Sequence, residues 1–221
     1  MQVSISIEPY IALEKTKLTQ YIDEIVRISR DFNQQEVQVS LHFDYFQENL
    51  DIFQLIQTYT DKIKVDLHLM QESVPNVDKF RSVSFDVVDW QKNQIRQFNR
   101  QKSKLAVNMD AVTQTQRGLV LDLGCNFQEY KDLIPAANYI IVMTVKCGKS
   151  GQTFNQSALQ LVPQIRRLNP HATIIIDGGV NETNINLLYE AGVDVAVVGN
   201  YAKKCYENGN LAIGINRLLH N

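Results

Sequence analysis

Cysteine is nearly missing from this chain: Cys125, Cys147 and Cys205 are odd in number, widely spaced and include no CxxC pair. That argues against a disulfide framework and against a thiolate zinc site, and it fits a reducing cytosol, so a cytoplasmic protein is expected. Long apolar runs are missing too. None approaches the eighteen or so residues of a membrane span, and the opening MQVSISIEPYIALEK has neither a basic start nor a long apolar stretch. No membrane partner and no targeting segment are expected. There is also no surplus of either charge: a formal net charge of -2 gives no general attraction to nucleic acid or to an anionic surface. The one basic tract, WQKNQIRQFNRQKSK, carries Lys92, Arg96, Arg100, Lys102 and Lys104, and it reads as the solvated face of a helix whose inner stripe holds Trp90 and Phe98. Small-molecule work is what these absences leave.

What is present is a chain of 221 residues, 44% hydrophobic, which can bury a sizeable core and falls just short of the about 250 residues of an eight-fold βα barrel. β-Branched apolar runs alternate with helix-like segments, the pattern of βα units on a parallel sheet. Strands are expected near 2–7, 37–43, 63–69, 82–88, 104–108, 118–122, 138–145, 173–177 and 194–198. A barrel has eight places for these nine, and 82–88 is the better candidate over 104–108, with a helix at about 89–103 between them. ALEKTKLTQYIDEIVRISRDF places Leu18, Ile22, Ile25, Val26 and Ile28 on one stripe of a helix. NETNINLLYEAG reads as a helix capped by Asn181 and ended by Gly192, while Pro163 requires its own helix to start late or to bend. No linker, low-complexity tract or internal repeat divides residues 1–221, so a single barrel domain is expected.

Chemistry enters with LHFDYF, residues 41–46. His42 and Asp44 are two apart in a strand and project to the same face, where burial without partners would be costly. His68 in KVDLHLM and Asp177 in TIIIDGG also fall near the carboxyl ends of expected strands, the rim that carries active sites in barrels. Two imidazoles and two carboxylates suit a borderline divalent cation such as zinc, with open positions left for substrate. A buried His bonded to its neighbouring Asp, with no ion, is the plainer alternative for the HxD pair alone. A second constellation is glycine-rich. KCGKSGQ, then Gly178-Gly179, then Gly199-Asn200 follow three successive strands, and such turns let backbone N–H groups approach an anion, as in the phosphate corner of many barrels. Lys149 would add charge there or be solvated.

With these residues in place the chain resembles the ribulose-phosphate 3-epimerase family, through LHFD at 41–44, DLHLM at 66–70, IVMTVKCGKSGQ at 141–152, IIIDGG at 174–179 and AGVDVAVVGN at 191–200. From about residue 118 the likeness is continuous; before that it comes in islands. The resemblance implies a (β/α)8 TIM barrel of the ribulose-phosphate-binding type, acting in the pentose phosphate pathway. It implies one divalent metal ion, usually zinc, with iron, manganese or cobalt as alternatives, held by His42, Asp44, His68 and Asp177. Asp44 and Asp177 are the implied proton-transfer residues, and His68, Gly148, Lys149, Ser150, Gly151, Gly178, Gly179, Gly199 and Asn200 the implied substrate and phosphate contacts. Met70 and Met143 match methionines near the reacting carbons, or are ordinary core fillers. A homo-oligomer with a sugar phosphate as its small-molecule partner is expected.

The departures are specific. The family's Asp-x-Met-Asp-Gly reads Asp44-Tyr45-Phe46-Gln47-Glu48, its Gly-Phe-Gly-Gly lid reads Gly148-Lys149-Ser150-Gly151, and its Asn-Pro-Gly-Thr reads Asp122-Leu123-Gly124-Cys125. The serine that touches substrate has only Ser4 and Ser6 as candidates. The expected reaction is inversion at C3 of a ketose phosphate, D-ribulose 5-phosphate to D-xylulose 5-phosphate, by two-base proton transfer through an enediolate. Allulose 6-phosphate or a related hexulose phosphate is the rival substrate, and a sugar-phosphate-binding barrel without turnover is the rival class.

Overall fold

The period-two alternation of the β-branched runs fixes which side chains of each strand share a face, and the parallel register then fixes which meet. The computed structural model describes residues 1–11, 14–34, 37–45, 50–70, 87–91, 116–146 and 151–220. Eight strands are β1 (Gln2–Ser6), β2 (Val39–Tyr45), β3 (Val65–Leu69), β4 (Val87–Gln91), β5 (Gln116–Leu121), β6 (Tyr139–Met143), β7 (Thr173–Asp177) and β8 (Val195–Val198). They close into a barrel in sequence order, every neighbouring pair parallel, with β8 returning to β1. The expected (β/α)8 barrel is thus the observed fold.

Helices connect and jacket the strands: α1 (Glu8–Ile11), α2 (Lys15–Asn33), α3 (Leu50–Gln57), α4 (Val162–Leu168), α5 (Ile185–Glu190), α6 (Asn200–Glu207) and α7 (Leu211–Leu219). The stripe expected for α2 is the one buried: Leu18, Ile22, Ile25 and Ile28 are each at most 1% exposed, joined by Tyr21 and Phe32. Each fully buried aliphatic side chain of this kind contributes about 1.5–3 kcal/mol, so the stripe holds the helix on the barrel. No helix among the described residues is long and apolar enough to cross a membrane.

Two apolar clusters follow from the alternation. Outward-facing strand residues such as Ile5, Leu41, Phe43, Leu67, Ile140, Val142, Ile174 and Ile176 pack with the helices in the larger one. The smaller one, Val120, Ile141, Met143, Val145, Ile175, Val195 and Val197, is made by the opposite, inward face of β5–β8 and the residues that follow β6. Over β1–β3 the inward face is polar instead: Ser4, Ser6, His42, Asp44, Asp66 and His68 are all buried. Among the described side chains, one side of the barrel lumen is therefore oily and the other is built from groups that need partners.

Several expectations are corrected. The fourth strand includes Val87–Gln91, so residues 89–91 are strand and not the start of a helix, while 82–86 of the expected strand lie outside the described residues. The β-branched VVDW run pairs Val87 through Gln91 with Gln116 through Val120, and that ladder outcompetes helix propensity there. The remainder of the expected helix, with Lys92, Arg96, Phe98, Arg100, Lys102 and Lys104, and the 104–108 run lie outside the described residues. The cap of α5 is Asn184, not Asn181; Asn181 instead accepts hydrogen bonds from the Thr183 N–H at 2.8 Å and hydroxyl at 2.6 Å in the preceding turn. Gly192 ends that helix as expected, with φ +78°. Pro163 falls in the first turn of α4, where a missing N–H is harmless, and a 3₁₀ segment (Gln156–Leu161) precedes it.

Candidate active site

The strand register explains how two imidazoles and two carboxylates can be buried together. β2 carries His-x-Asp and β3 carries Asp-x-His, and the ladder sets His42 beside Asp66 and Asp44 beside His68. Each ring therefore has a carboxylate on the neighbouring strand. His42 Nδ1 is 3.1 Å from Asp66 Oδ2, and His68 Nδ1 is 3.0 Å from Asp44 Oδ1. Asp177 arrives from β7, across the lumen, with Oδ2 3.9 Å from His42 Nε2. One ligand atom from each of His42, Asp44, His68 and Asp177 lies within 4.8 Å of the other three. The four residues nominated from the sequence converge.

Both imidazoles are fully buried, and His42 Nε2 has no hydrogen-bond partner among the described residues although Asp44 Oδ1 is 3.4 Å away. A buried nitrogen left in that state costs about 1–3 kcal/mol unless something accepts its lone pair. A divalent cation fits this donor set: two borderline nitrogen ligands and two hard oxygen ligands within reach of one point.

The electrostatics separate the two carboxylates. Burial pushes Asp177 up, repulsion from Asp44 and Asp66 adds to this, and the attraction of His42 and His68 offsets only part, leaving it at about 6. Burial also pushes Asp44 up, but the charge of His42, joined by the approach of His68, outweighs it and holds that carboxyl well below its usual range. His42 is lowered by burial and raised further by Asp66 and Asp44, so it ends well above an ordinary histidine. Two acids with values driven apart are the usual arrangement for one proton donor and one acceptor.

Asp44 and Asp177 form part of the wall of a cavity of about 490 Å³ at the carboxyl ends of the strands. Of the other residues nominated from the sequence, Met70, Met143, Gly151, Gly178, Gly179, Gly199 and Asn200 also line it. Gly148, Lys149 and Ser150 lie outside the described residues, as do Phe46, Gln47 and Glu48. His68, expected also to touch substrate, is buried behind the wall with His42. Of the two candidate serines, Ser6 faces the cavity, whereas Ser4 is fully buried and donates to Asp66 Oδ1 at 3.2 Å.

The glycine corner is shaped by packing. Gly178 (φ +115°) and Gly179 (φ +68°) turn the chain out of β7, and a Cβ on Gly179 would meet Phe154 N at 2.7 Å and Gln152 O at 2.9 Å. Thr144, which follows β6, locks the same turn: its N–H donates to the Asp177 carbonyl at 2.8 Å, and its hydroxyl sits against the carbonyls of Asp177 and Gly178. α6 starts at Asn200 with its amino end on the cavity, a favourable setting for an anion. Lys146 and Lys204 bring positive charge to the same wall, and Glu8 and Glu182 bring negative charge.

Sequence reasoning passed over Asp66 and Thr144. Asp66 had a readable sign, since it stands two residues before His68 and so shares its face; its partner across the ladder could be known only from the register.

Comparison with known proteins gives the family and the fold. The model of the ribulose-phosphate 3 epimerase family matches residues 11–202. The chain belongs to the ribulose-phosphate 3-epimerase family. Relatives that carry the name ribulose-phosphate 3-epimerase include one from Helicobacter pylori, 29% identical over 149 residues, or 65% of this chain and 66% of that protein. Another, from Aquifex aeolicus, is 37% identical over 87 residues, 38% of this chain and 39% of that protein. A third, from Mycoplasma genitalium, is 26% identical over 172 residues, 72% of this chain and 77% of that protein. Such family members are epimerases acting on carbohydrates. Among solved structures, the 3-hexulose-6-phosphate synthase of Salmonella typhimurium covers 99% of this chain and 96% of its own at a TM-score of 0.63 and 13% identity. The 3-keto-L-gulonate-6-phosphate decarboxylase of Vibrio cholerae covers 98% of each chain at 0.60 and 11% identity. At those identities the two structures speak for the barrel alone.

Proposed function

We propose that this chain is a metal-dependent 3-epimerase of a ketose phosphate, with D-ribulose 5-phosphate and D-xylulose 5-phosphate as its substrate pair. The observation that carries the reading is that Asp44 and Asp177, from strands on different sides of the lumen, both reach the cavity while sharing a four-residue cluster with two buried histidines. Inverting a carbon beside a ketone requires a proton to leave one face and another to arrive on the opposite face, so two acid–base groups are needed. Binding a sugar phosphate through its phosphate alone would need neither.

In this reading His42, Asp44, His68 and Asp177 hold one divalent cation, most simply zinc. When bound, the cation supplies positive charge that stabilises the oxyanion developed as the C3 proton leaves. The chain's own groups do the rest. One of the two carboxylates takes the C3 proton while the other, carrying a proton, delivers it to the opposite face, and the roles exchange in the reverse direction. The glycine turns at 178–179 and 199–200, with the amino end of α6, receive the phosphate, so binding far from C3 orients the reacting carbon. Met70 and Met143 line the cavity as apolar wall near the sugar and limit water there.

The test is a side-by-side assay of the purified protein, after metal analysis, on D-ribulose 5-phosphate and D-allulose 6-phosphate. About one divalent ion per chain and a larger kcat/KM on the pentulose are expected. An equal or greater rate on the hexulose overturns the substrate assignment, and no turnover of either overturns the catalytic one.

A further inference from the structure

Among the described residues, Asp66 is the one buried carboxylate of the lumen's polar side that stands outside the four-residue cluster. It is 5% exposed, and the ladder places it beside His42. Its Oδ2 faces His42 Nδ1 at 3.1 Å, so it meets the side of the ring opposite Nε2, the nitrogen turned toward Asp44 and Asp177. An imidazole is flat, with its two nitrogens on different edges. A group bonded at Nδ1 cannot share an ion bound at Nε2. The other oxygen of Asp66 accepts a hydrogen bond from the Ser4 hydroxyl at 3.2 Å, and Ser4 is fully buried. Ser4 sits on β1 and Asp66 on β3. In a barrel of this kind alternate strands contribute to the same inward layer, so the two meet across the lumen although neither strand pairs with the other.

Burying a carboxylate this thoroughly carries a desolvation penalty of several kcal/mol, which must be offset by what it bonds. Here it bonds one imidazole N–H and one hydroxyl. From this geometry we propose that Asp66 and Ser4 are positioning residues: Asp66 holds the proton of His42 on Nδ1 and so presents the Nε2 lone pair to the cation site, and Ser4 holds Asp66 in place. A neutral imidazole has two tautomers, and only the one protonated at Nδ1 has an acceptor at Nε2. The chain Ser4–Asp66–His42 therefore fixes the orientation of one ligand before any cation arrives and sets which nitrogen keeps its proton when the cation displaces the other, and it raises the basicity of that ligand.

This inference rests on the cation reading above, and the experiment separates the two. Metal-stripped protein is titrated with Zn²⁺ in competition with a chromophoric chelator at fixed pH, for wild type, Asp66→Asn, Ser4→Ala and the double variant. The Co²⁺-loaded forms are recorded by visible absorption as a signature of ligand geometry. Asp66→Asn is expected to weaken Zn²⁺ binding about 10–100-fold and to alter the Co²⁺ bands. Ser4→Ala should weaken it about fivefold, as for one lost hydrogen bond. The double variant should match Asp66→Asn alone, since the hydroxyl acts only through the carboxylate; two merely structural substitutions would multiply instead. Wild-type protein that takes up no Zn²⁺ sinks the cation reading and this inference with it. Wild type that binds, with Asp66→Asn unchanged or with multiplying losses, sinks this inference alone. If Asp66→Asn does not fold, Ser4→Ala decides by itself, and unchanged affinity there counts against the proposal.

Discussion

Replacing Gly179 by alanine should destabilise the protein by about 2–5 kcal/mol, and the size can be worked from two contributions. Its φ of +68° is in the left-handed region, where an L side chain costs roughly 1–2 kcal/mol. The added Cβ would then sit 2.7 Å from Phe154 N, 2.9 Å from Gln152 O and 3.0 Å from Phe154 Cα. Carbon atoms rest comfortably at about 3.5–4.0 Å, so all three contacts are too close. The obstructing atoms are backbone, and the chain just beyond is tied down by the Asn155 N–H, which donates to the Thr144 carbonyl at 3.0 Å. Overpacking of that sort adds about 1–3 kcal/mol. Gly209 supplies the control: its φ is +67°, yet nothing lies within 4 Å of a Cβ built there. Urea denaturation of Gly179→Ala and Gly209→Ala should therefore show equal conformational penalties and differ by the steric part. Gly179→Ala should also lose turnover, because the same turn carries Asp177. Equal midpoints for the two variants would refute the reasoning and would mean that the 152–154 segment yields freely.

Asp44→Asn and Asp177→Asn should each lower epimerase turnover about 10²–10⁴-fold while far-UV circular dichroism stays as in wild type, since each removes one positioned acid–base group. Cation uptake by the metal-free protein should release protons, because Asp177 is pushed up to about 6 and His42 is held well above an ordinary histidine. Affinity should accordingly rise as pH increases through about 6, where Asp177 ionises, and go on rising above the ordinary histidine range until His42 loses its proton, and calorimetry in two buffers of different ionisation enthalpy would show the release. Tyr10 and Tyr59 are each pushed up to about 12, by burial first and then by Glu207 and Asp23 respectively. Unfolded tyrosines ionise near 10, so the folded form keeps protons that the unfolded form has lost, and stability present below pH 10 should fall between about 10 and 12 in denaturant melts.

Much of the barrel and of its cluster was legible from residues alone, for a physical reason. β7 reads TIIID, an unbroken β-branched run ending in a carboxylate, and the strand found is Thr173–Asp177. His42 and Asp44 share a face in any strand, so their common direction needed no coordinates. What local pattern could not supply was the register between strands. The meeting of His42 with Asp66, and of Ser4 with Asp66 across the lumen, depends on how far each strand is slid along its neighbour, and nothing in a single strand encodes that. The run of the fourth strand past residue 88 has a similar origin, because VVDW suits either a strand or the first turn of a helix until β5 offers it a ladder. Thr144 looked like the end of a strand, and only the chain's return at Gly178 gives its hydroxyl something to hold.

The most direct measurement is proton exchange at C3. D-ribulose 5-phosphate incubated in D₂O with metal-loaded protein should lose its C3 proton signal in the NMR spectrum as xylulose 5-phosphate appears, and protein stripped by a chelator should exchange neither until Zn²⁺ is restored. A metal-loaded protein that binds the sugar phosphate yet leaves the C3 proton in place would contradict the account.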